Sequence, residues 1–489
     1  MSLVRRSLLY SLADSYVGAA LQMASTLIIS RLLSPTEVGI FAVAAVLAAL
    51  ASTFRDFGVA EYLIQERDLT AAKIRAAFTA NLVVSWLMAV LLFALSGVVA
   101  DFYRQPGVGD VMRVQAISFL LIPFGAVTVA YFRRELNYRP IFICGLLANS
   151  TSFLVATIGA WYGFSYMSLA WASLAGVLVT VSASLLMCPP GFPRRPSFKG
   201  MMDVVRFGKH ASGIYLFGQV GKSAPEAVIG RVLDMASVAF FSRANGLIEI
   251  FNRTVLKAVL PVCLPYFSQA KRAGDETSAG YLKATSLLTG LGWPFFVVVG
   301  LLAFSAVRLL YGSQWMPAVP LAQVLMLAAL FELPYFLANE AMIAHGRVDQ
   351  SNRLQFLVQG TRLASLLLVV PFGLIGACWG LAAAGLAGAV ISHYFLHTTI
   401  GLRFAQVLRA CRSSALVTAC CGLPVLLLVL LVPQTENNYV QVLLGGALLA
   451  AVAWLLALRV FAHPLWVEIS ALGKQVVARV RSGFANGPG

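Results

Sequence analysis

Apolar runs of about twenty residues follow one another along the whole 489-residue chain, with LLFALSGVVA (91–100) and VLLLVLLV (425–432) among the densest. A run of that length matches the hydrocarbon thickness of a bilayer. No water is present there to satisfy backbone N–H and C=O groups, so such a segment satisfies them internally, as a helix. Composition agrees: 59% of residues are hydrophobic and 11% charged, against about 25% charged in an average soluble domain. No polar stretch is long enough for a separate soluble domain. The expected fold is an all-α polytopic membrane protein.

The hydropathy pattern predicts fourteen transmembrane helices, near 10–32, 38–63, 77–100, 112–132, 141–162, 166–187, 209–231, 236–267, 282–308, 318–344, 354–372, 375–400, 413–432 and 439–461. Basic residues orient them. Alternate loops, from Arg5-Arg6 through Arg67, Arg133-Arg134, Arg194-Arg195, Lys271-Arg272, Arg347 and Arg403 to Arg459, hold 25 of the 36 Lys and Arg. The intervening loops hold five: Arg31, Arg104, Arg113, Arg231 and Arg308. Basic loops stay in the cytoplasm, which puts both termini there, as an even number of spans requires. This placement explains the net charge of +16 with no nucleic acid as partner. The seven cysteines lie in or beside predicted helices with no CxxC pair, so free thiols are expected. Arg5-Arg6 lead directly into a full first span, so no cleavable leader is expected. The tail HPLWVEISALGKQVVARV (463–480) sets Trp466, Ile469, Leu472, Val476 and Val480 on one helical face, the pattern of an amphipathic helix lying on the membrane surface.

One phrase occurs twice. IISRLLSPTEVGIF (28–41) returns without a gap as VIGRVLDMASVAFF (228–241), matching Arg31 with Arg231, Leu33 with Leu233, Val38 with Val238 and Phe41 with Phe241. WYGFSYMSLAW (161–171) likewise echoes PFGLIGACWG (371–380). The expected organisation is a six-helix bundle over 1–200, a second over 201–405, two added helices over 406–462 and the cytoplasmic tail over 463–489. Six is even, so both bundles enter the membrane in the same sense. Parallel repeats of this kind are a transporter architecture that works by alternating access.

RLLSPTEVGIFAVAAVLAALASTFRDFGVAEYLIQERDLT (31–70) also resembles the opening of bacterial polysaccharide flippases of the multidrug/oligosaccharidyl-lipid/polysaccharide exporter superfamily. The likeness rests on Leu32-Leu33-Ser34-Pro35-Thr36-Glu37-Val38-Gly39, on Asp56-Phe57-Gly58-Val59 and on Glu61-Tyr62-Leu63-Ile64-Gln65. In the second half FFSRANGLIEIF (240–251) and VLPVCLPYFSQ (259–269) resemble further family segments. Phe241 stands where the family often has Tyr, and Glu61 where it often has a small residue. The resemblance implies two six-helix bundles set in a V, plus two helices, around a central cavity. It implies a bacterial inner-membrane flippase that moves polyprenyl-diphosphate-linked oligosaccharide to the periplasmic leaflet. Lipid and the lipid-linked sugar are the implied partners. The expected protein is a monomer, with action alongside a polymerase and a chain-length regulator left open.

A charge inside the hydrocarbon layer costs several kcal/mol, so each one needs a reason. Charged and amide residues gather in the predicted first, second, seventh and eighth helices, with Arg55-Asp56 in the second. Arg243, Lys257, Arg253 and Lys222 are the candidate cations for a lipid diphosphate, since guanidinium offers a planar fork of donors. Gln22, Gln219, Asn245 and Asn252 are the candidate sugar contacts. Lys222 with Glu226, and Glu249 with Arg253, are also spaced for pairing within a helix. Arg243, Lys257 and Arg362 have no acid at such spacing. Asp14, Glu226, Glu249, Glu332 and Glu340 are candidates for ion coupling, with the membrane potential, a proton and sodium all open as energy sources. No cofactor or metal is expected, and no nucleotide-binding glycine loop is present.

Sharper-looking motifs lose on position. His393 and His397 lack a third ligand and mark a helix end. Asn149-Ser150-Thr151 and Asn252-Arg253-Thr254 fit the glycosylation pattern but fall inside predicted helices. Two other functions compete with flipping. A multidrug/cation antiporter of the same fold would favour an acidic, aromatic cavity, whereas helices seven and eight are net basic. A membrane polymerase or ligase would need a large outward loop, and the outward loops are short.

Overall fold

The computed structural model describes residues 3–55, 59–193, 195–273 and 277–471. Among the described residues the regular structure is all helix. The first part of the chain forms α1 (Leu3–Leu32), α2 (Pro35–Arg55), α3 (Val59–Gln65), α4 (Ala71–Tyr103), α5 (Pro106–Leu121), α6 (Pro123–Arg134), α7 (Tyr138–Trp161), α8 (Met167–Leu186) and α9 (Met201–Val232). The rest forms α10 (Met235–Phe251), α11 (Lys257–Ala273), α12 (Thr277–Leu301), α13 (Ala303–Leu310), α14 (Ala318–Glu332), α15 (Ala338–Ala344), α16 (Val348–Val369), α17 (Leu374–Ile400), α18 (Phe404–Leu431) and α19 (Tyr439–Val460). Two compact units result, Met1–Phe240 and Phe241–Gly489.

Eleven described helical segments are long and apolar enough to cross a membrane, or twelve if α5 and α6, bent by 54° at Pro123, make one span. The chain is a multi-pass membrane protein. The sequence pattern predicts fourteen spans. The two that fall outside this set are the seventh and eighth, which are nevertheless helical as α9 and as α10 with α11. Lys222 and Glu226 make α9 polar, and α10 and α11 are seventeen residues each. Asp56-Phe57-Gly58 and residues 472–489 lie outside the described residues, so only 463–471 of the amphipathic tail is described, with 464–471 as helix.

In the first unit α7 packs on α8 and α1, α4 on α5, and α9 on α2 and α4. Tyr103 at the end of α4 donates its hydroxyl to the Ala227 carbonyl of α9 at 3.2 Å. In the second unit α16 packs on α17, α17 on α14, and α12 on α18. The repeat is written in the backbone of both. Left-handed residues recur 208–210 positions apart: Arg104 and Gly312, Leu136 and Gly346, Gly163 and Gly373, Gly191 and Gly401. Glycine reaches this conformation without the Cβ penalty that Arg104 and Leu136 carry.

Each unit also breaks one span at a proline, between α5 and α6 in the first and between α14 and α15 in the second. Proline lacks an N–H and clashes with the preceding turn, which frees carbonyls. Before Pro123, the Leu120 carbonyl accepts from the Trp86 indole of α4 at 3.2 Å. Before Pro334, the Leu330 carbonyl accepts from the Trp293 indole of α12 at 2.9 Å. The Tyr281 hydroxyl adds a bond to the Pro334 carbonyl at 3.0 Å.

Candidate functional site

Every residue proposed for the site from sequence is described, and the structure brings together one group tightly. Asn252–Leu256, between α10 and α11, is a π-helical turn. Such turns are rare and concentrate at functional positions. Here the turn starts one residue after Phe251 and ends five before Pro261, which lacks the N–H for a regular hydrogen bond to Lys257. It carries Arg253 and Asn252, both turned to Glu249: Arg253 Nε to Oε1 at 3.2 Å and Asn252 Nδ2 to Oε2 at 3.2 Å. The Arg253 side chain keeps 60% of its surface exposed and Glu249 keeps 42%. An ion pair so exposed holds its partners weakly, by about 0–1 kcal/mol, so Arg253 remains able to exchange Glu249 for an anion. Lys257, one turn on, is exposed.

On α9, Gln219 donates to the Ser223 hydroxyl at 3.1 Å. Lys222 is exposed, and among the described residues it forms no ion pair with Glu226 despite the spacing. On α1, Gln22 is exposed, with its carbonyl bonded by Thr26. Asp14 packs where Gly145 of α7 leaves room; a Cβ there would collide with its carboxylate.

Arg243 occupies a different environment from its candidate companions. Its guanidinium lies 5.4 Å from the Tyr311 ring centre and 5.0 Å from that of Trp315, and its Nε is enclosed without a hydrogen bond. Stacking on aromatic faces holds a desolvated cation by about 2 kcal/mol. Asn245, one turn from Glu249 on α10, is partly buried. Of the coupling candidates in the second unit, Glu332 is exposed, with its carboxylate against Gly385 of α17, and the Oε2 of Glu340 is enclosed without a partner. His393 stacks edge-on to Tyr335 and Phe404, so aromatic rings rather than ligands surround it.

Several polar groups escaped the sequence reading. Trp86 and Trp293 read as ordinary apolar residues, and only the later prolines hinted at their role. His463 is fully buried beside α18: its Nδ1 accepts from the Leu465 N–H at 3.1 Å, so the neutral ring donates from Nε2 to Ser414 at 3.0 Å. Thr289 of α12 lies 2.8 Å from the same hydroxyl, and Lys283 pairs with Glu468 at 3.1 Å. The added helices and the start of the tail are thereby fastened to α12.

A membrane chain of two structurally echoing helical units, with polar, charged helices at its centre of sequence, has the build of a polytopic transporter. The chain belongs to the polysaccharide biosynthesis protein family, whose model matches residues 28–320. Over 382 residues it is 22% identical to the teichuronic acid biosynthesis protein TuaB of Bacillus subtilis, covering 75% of this chain and 77% of that one. It is 26% identical over 327 residues to the succinoglycan biosynthesis transport protein ExoT of Rhizobium meliloti, covering 66% of each. It is 20% identical over 380 residues to the lipopolysaccharide biosynthesis protein WzxC of Escherichia coli, covering 76% of each. In fold it is similar to a lipid II flippase, MurJ, in an inward closed conformation, with a TM-score of 0.74 at 14% identity over 93% of this chain and 98% of that one. An inward-facing multidrug transporter of the MATE family gives 0.59 at 17% identity, over 81% and 94%.

Proposed function

We propose that this protein is a flippase that carries polyprenyl-diphosphate-linked oligosaccharide units from the cytoplasmic to the periplasmic leaflet, for synthesis of a surface polysaccharide. It sits in the bacterial inner membrane with both termini in the cytoplasm and works by alternating access as a monomer. The observation that carries the reading is the basic π-helical turn: Arg253 in an exchangeable pair, with Lys257 exposed one turn away. Lys222 adds a third exposed cation on α9. Exposed cations gathered on helices of a multi-pass membrane protein call for an anionic ligand, and membership of a polysaccharide family makes a lipid diphosphate that ligand. Gln22, Gln219, Asn245 and Asn252 supply hydrogen bonds to sugars. Outward movement of the anion in an inside-negative potential is favourable by about 2.3 kcal/mol per charge per 100 mV, which supplies part of the drive; Asp14, Glu226, Glu249, Glu332 and Glu340 are the carboxylates that ion coupling would draw on. A polymerase and a chain-length regulator would consume the product.

Deleting the gene and assaying lipid-linked oligosaccharide by leaflet tests the proposal. Accumulation in the cytoplasmic leaflet, with loss of surface polysaccharide, is the expected result. Unchanged lipid-linked sugar with altered drug sensitivity would replace it with the antiporter reading.

A further inference from the structure

Beyond its polar first turns, α16 carries Gln355, Gln359 and Arg362 within a candidate membrane span. At 100° per residue they fall within about 60° of one another, beside the buried Ser351 and Leu366. Phe356, Leu357, Leu367 and Leu368 occupy the opposite side and are exposed, as a lipid-facing surface requires. The three polar residues are each partly exposed, so their face is neither sealed core nor lipid contact.

Their hydrogen-bonding is incomplete in a specific way. Gln359 Nε2 reaches Gln355 Oε1 at 3.5 Å, the outer limit of a hydrogen bond. Gln359 Oε1 and Arg362 Nε are both enclosed and have no partner. No carboxylate forms an ion pair with Arg362 among the described residues. An acceptor and a donor thus stand without a protein partner less than one turn apart, and burial of each costs free energy unless a hydrogen bond offsets it. A bare phosphate has only acceptors and would leave Gln359 Oε1 facing negative oxygen. A cation would satisfy Gln359 but meet the charge of Arg362. A hydroxyl donates to one and accepts from the other, and neighbouring sugar hydroxyls offer two such groups side by side.

We infer that Gln355, Gln359 and Arg362 form a saccharide-binding face of the second unit, which holds the sugar of the cargo rather than its diphosphate. The inference rests on the flippase reading above. It is tested on the full-length protein in nanodiscs by tryptophan-fluorescence titration with two probes, undecaprenyl diphosphate and the same lipid carrying one hexose. Wild type is expected to bind the hexose-bearing lipid more tightly. Gln359→Leu and Arg362→Met are each expected to weaken that binding about tenfold and to leave binding of the bare diphosphate unchanged. Arg362→Lys keeps the charge but not the fork, and is expected to show the same sugar-only loss should the Met variant misfold. Equal losses on both lipids would make the face an anion site, and no loss on either would make it inert; both results overturn the inference. Wild type that binds neither lipid would bring down the flippase reading, and this inference with it.

Discussion

Arg134 spreads one guanidinium over the carbonyls of Leu63, Ile64, Glu66 and Arg67, with Nη1 to Leu63 at 2.7 Å and Nη2 to Arg67 at 3.2 Å. It closes the end of α3 and the loop after it, where helix carbonyls would otherwise lack partners. Arg134→Met is expected to cost about 1.5–3 kcal/mol, seen as a lower melting temperature and faster proteolysis within 66–70, and Lys should recover only part because it lacks the planar fork. Arg253 stands in the opposite setting, in an exposed pair with Glu249. Arg253→Gln is expected to lower affinity for a lipid diphosphate by about tenfold or more, whereas Glu249→Gln, which releases the guanidinium, should leave it equal or tighter. Binding titrations with undecaprenyl diphosphate check both, and a larger loss for Glu249→Gln would show that the pair itself is the required group. The roles of these two arginines differ because of their surroundings, which residue type and spacing alone do not reveal.

Helices in this protein are bent by proline and repaired by tryptophan. Trp293→Phe keeps the ring and removes the N–H from the Leu330 carbonyl. It is expected to destabilise the protein by about 1–2 kcal/mol, measured as a shift in thermal unfolding, with Trp86→Phe giving a similar shift through Leu120. The tail is held differently. Burial lowers the affinity of His463 for a proton, below its ordinary value of 6.5. The released ring therefore binds the proton more readily than the docked ring, and docking strengthens as pH rises. The stabilisation is complete above about pH 6.5 and falls away as the pH drops below it. Hydrogen exchange of 464–471 is expected to be slow at pH 7.5 and faster at pH 5.5, and His463→Gln should remove the difference. Gly290 permits this contact, since a Cβ there would collide with the imidazole.

Over the whole molecule, the charge asymmetry makes a sided prediction. In a background with the seven native cysteines replaced, cysteines at Arg104 and Ser313 should react with a membrane-impermeant thiol reagent added outside intact cells. Cysteines at Glu135 and Arg347 should react only after the membrane is opened. All four positions are exposed, so a reversed pattern would invert the orientation and with it the direction of flipping.

The sequence by itself determined that this chain crosses a membrane many times as helices, because apolar runs of bilayer length leave the backbone no other partner. It also showed the doubled phrase at 28–41 and 228–241, which the matched left-handed residues and the two proline breaks extend through both units. Which polar residues are enclosed by other side chains and which stand exposed was decided only by tertiary structure. Spacing separates Arg243 from Arg253 only by the acid four residues before the latter, yet one guanidinium lies against the rings of Tyr311 and Trp315 while the other stands exposed at a π-helical turn. Residues far apart in sequence set that difference: Trp293 finds Leu330, and His463 finds Ser414. Hydropathy and helical period record only near neighbours, whereas the satisfaction of a buried polar group depends on whichever helix packs beside it.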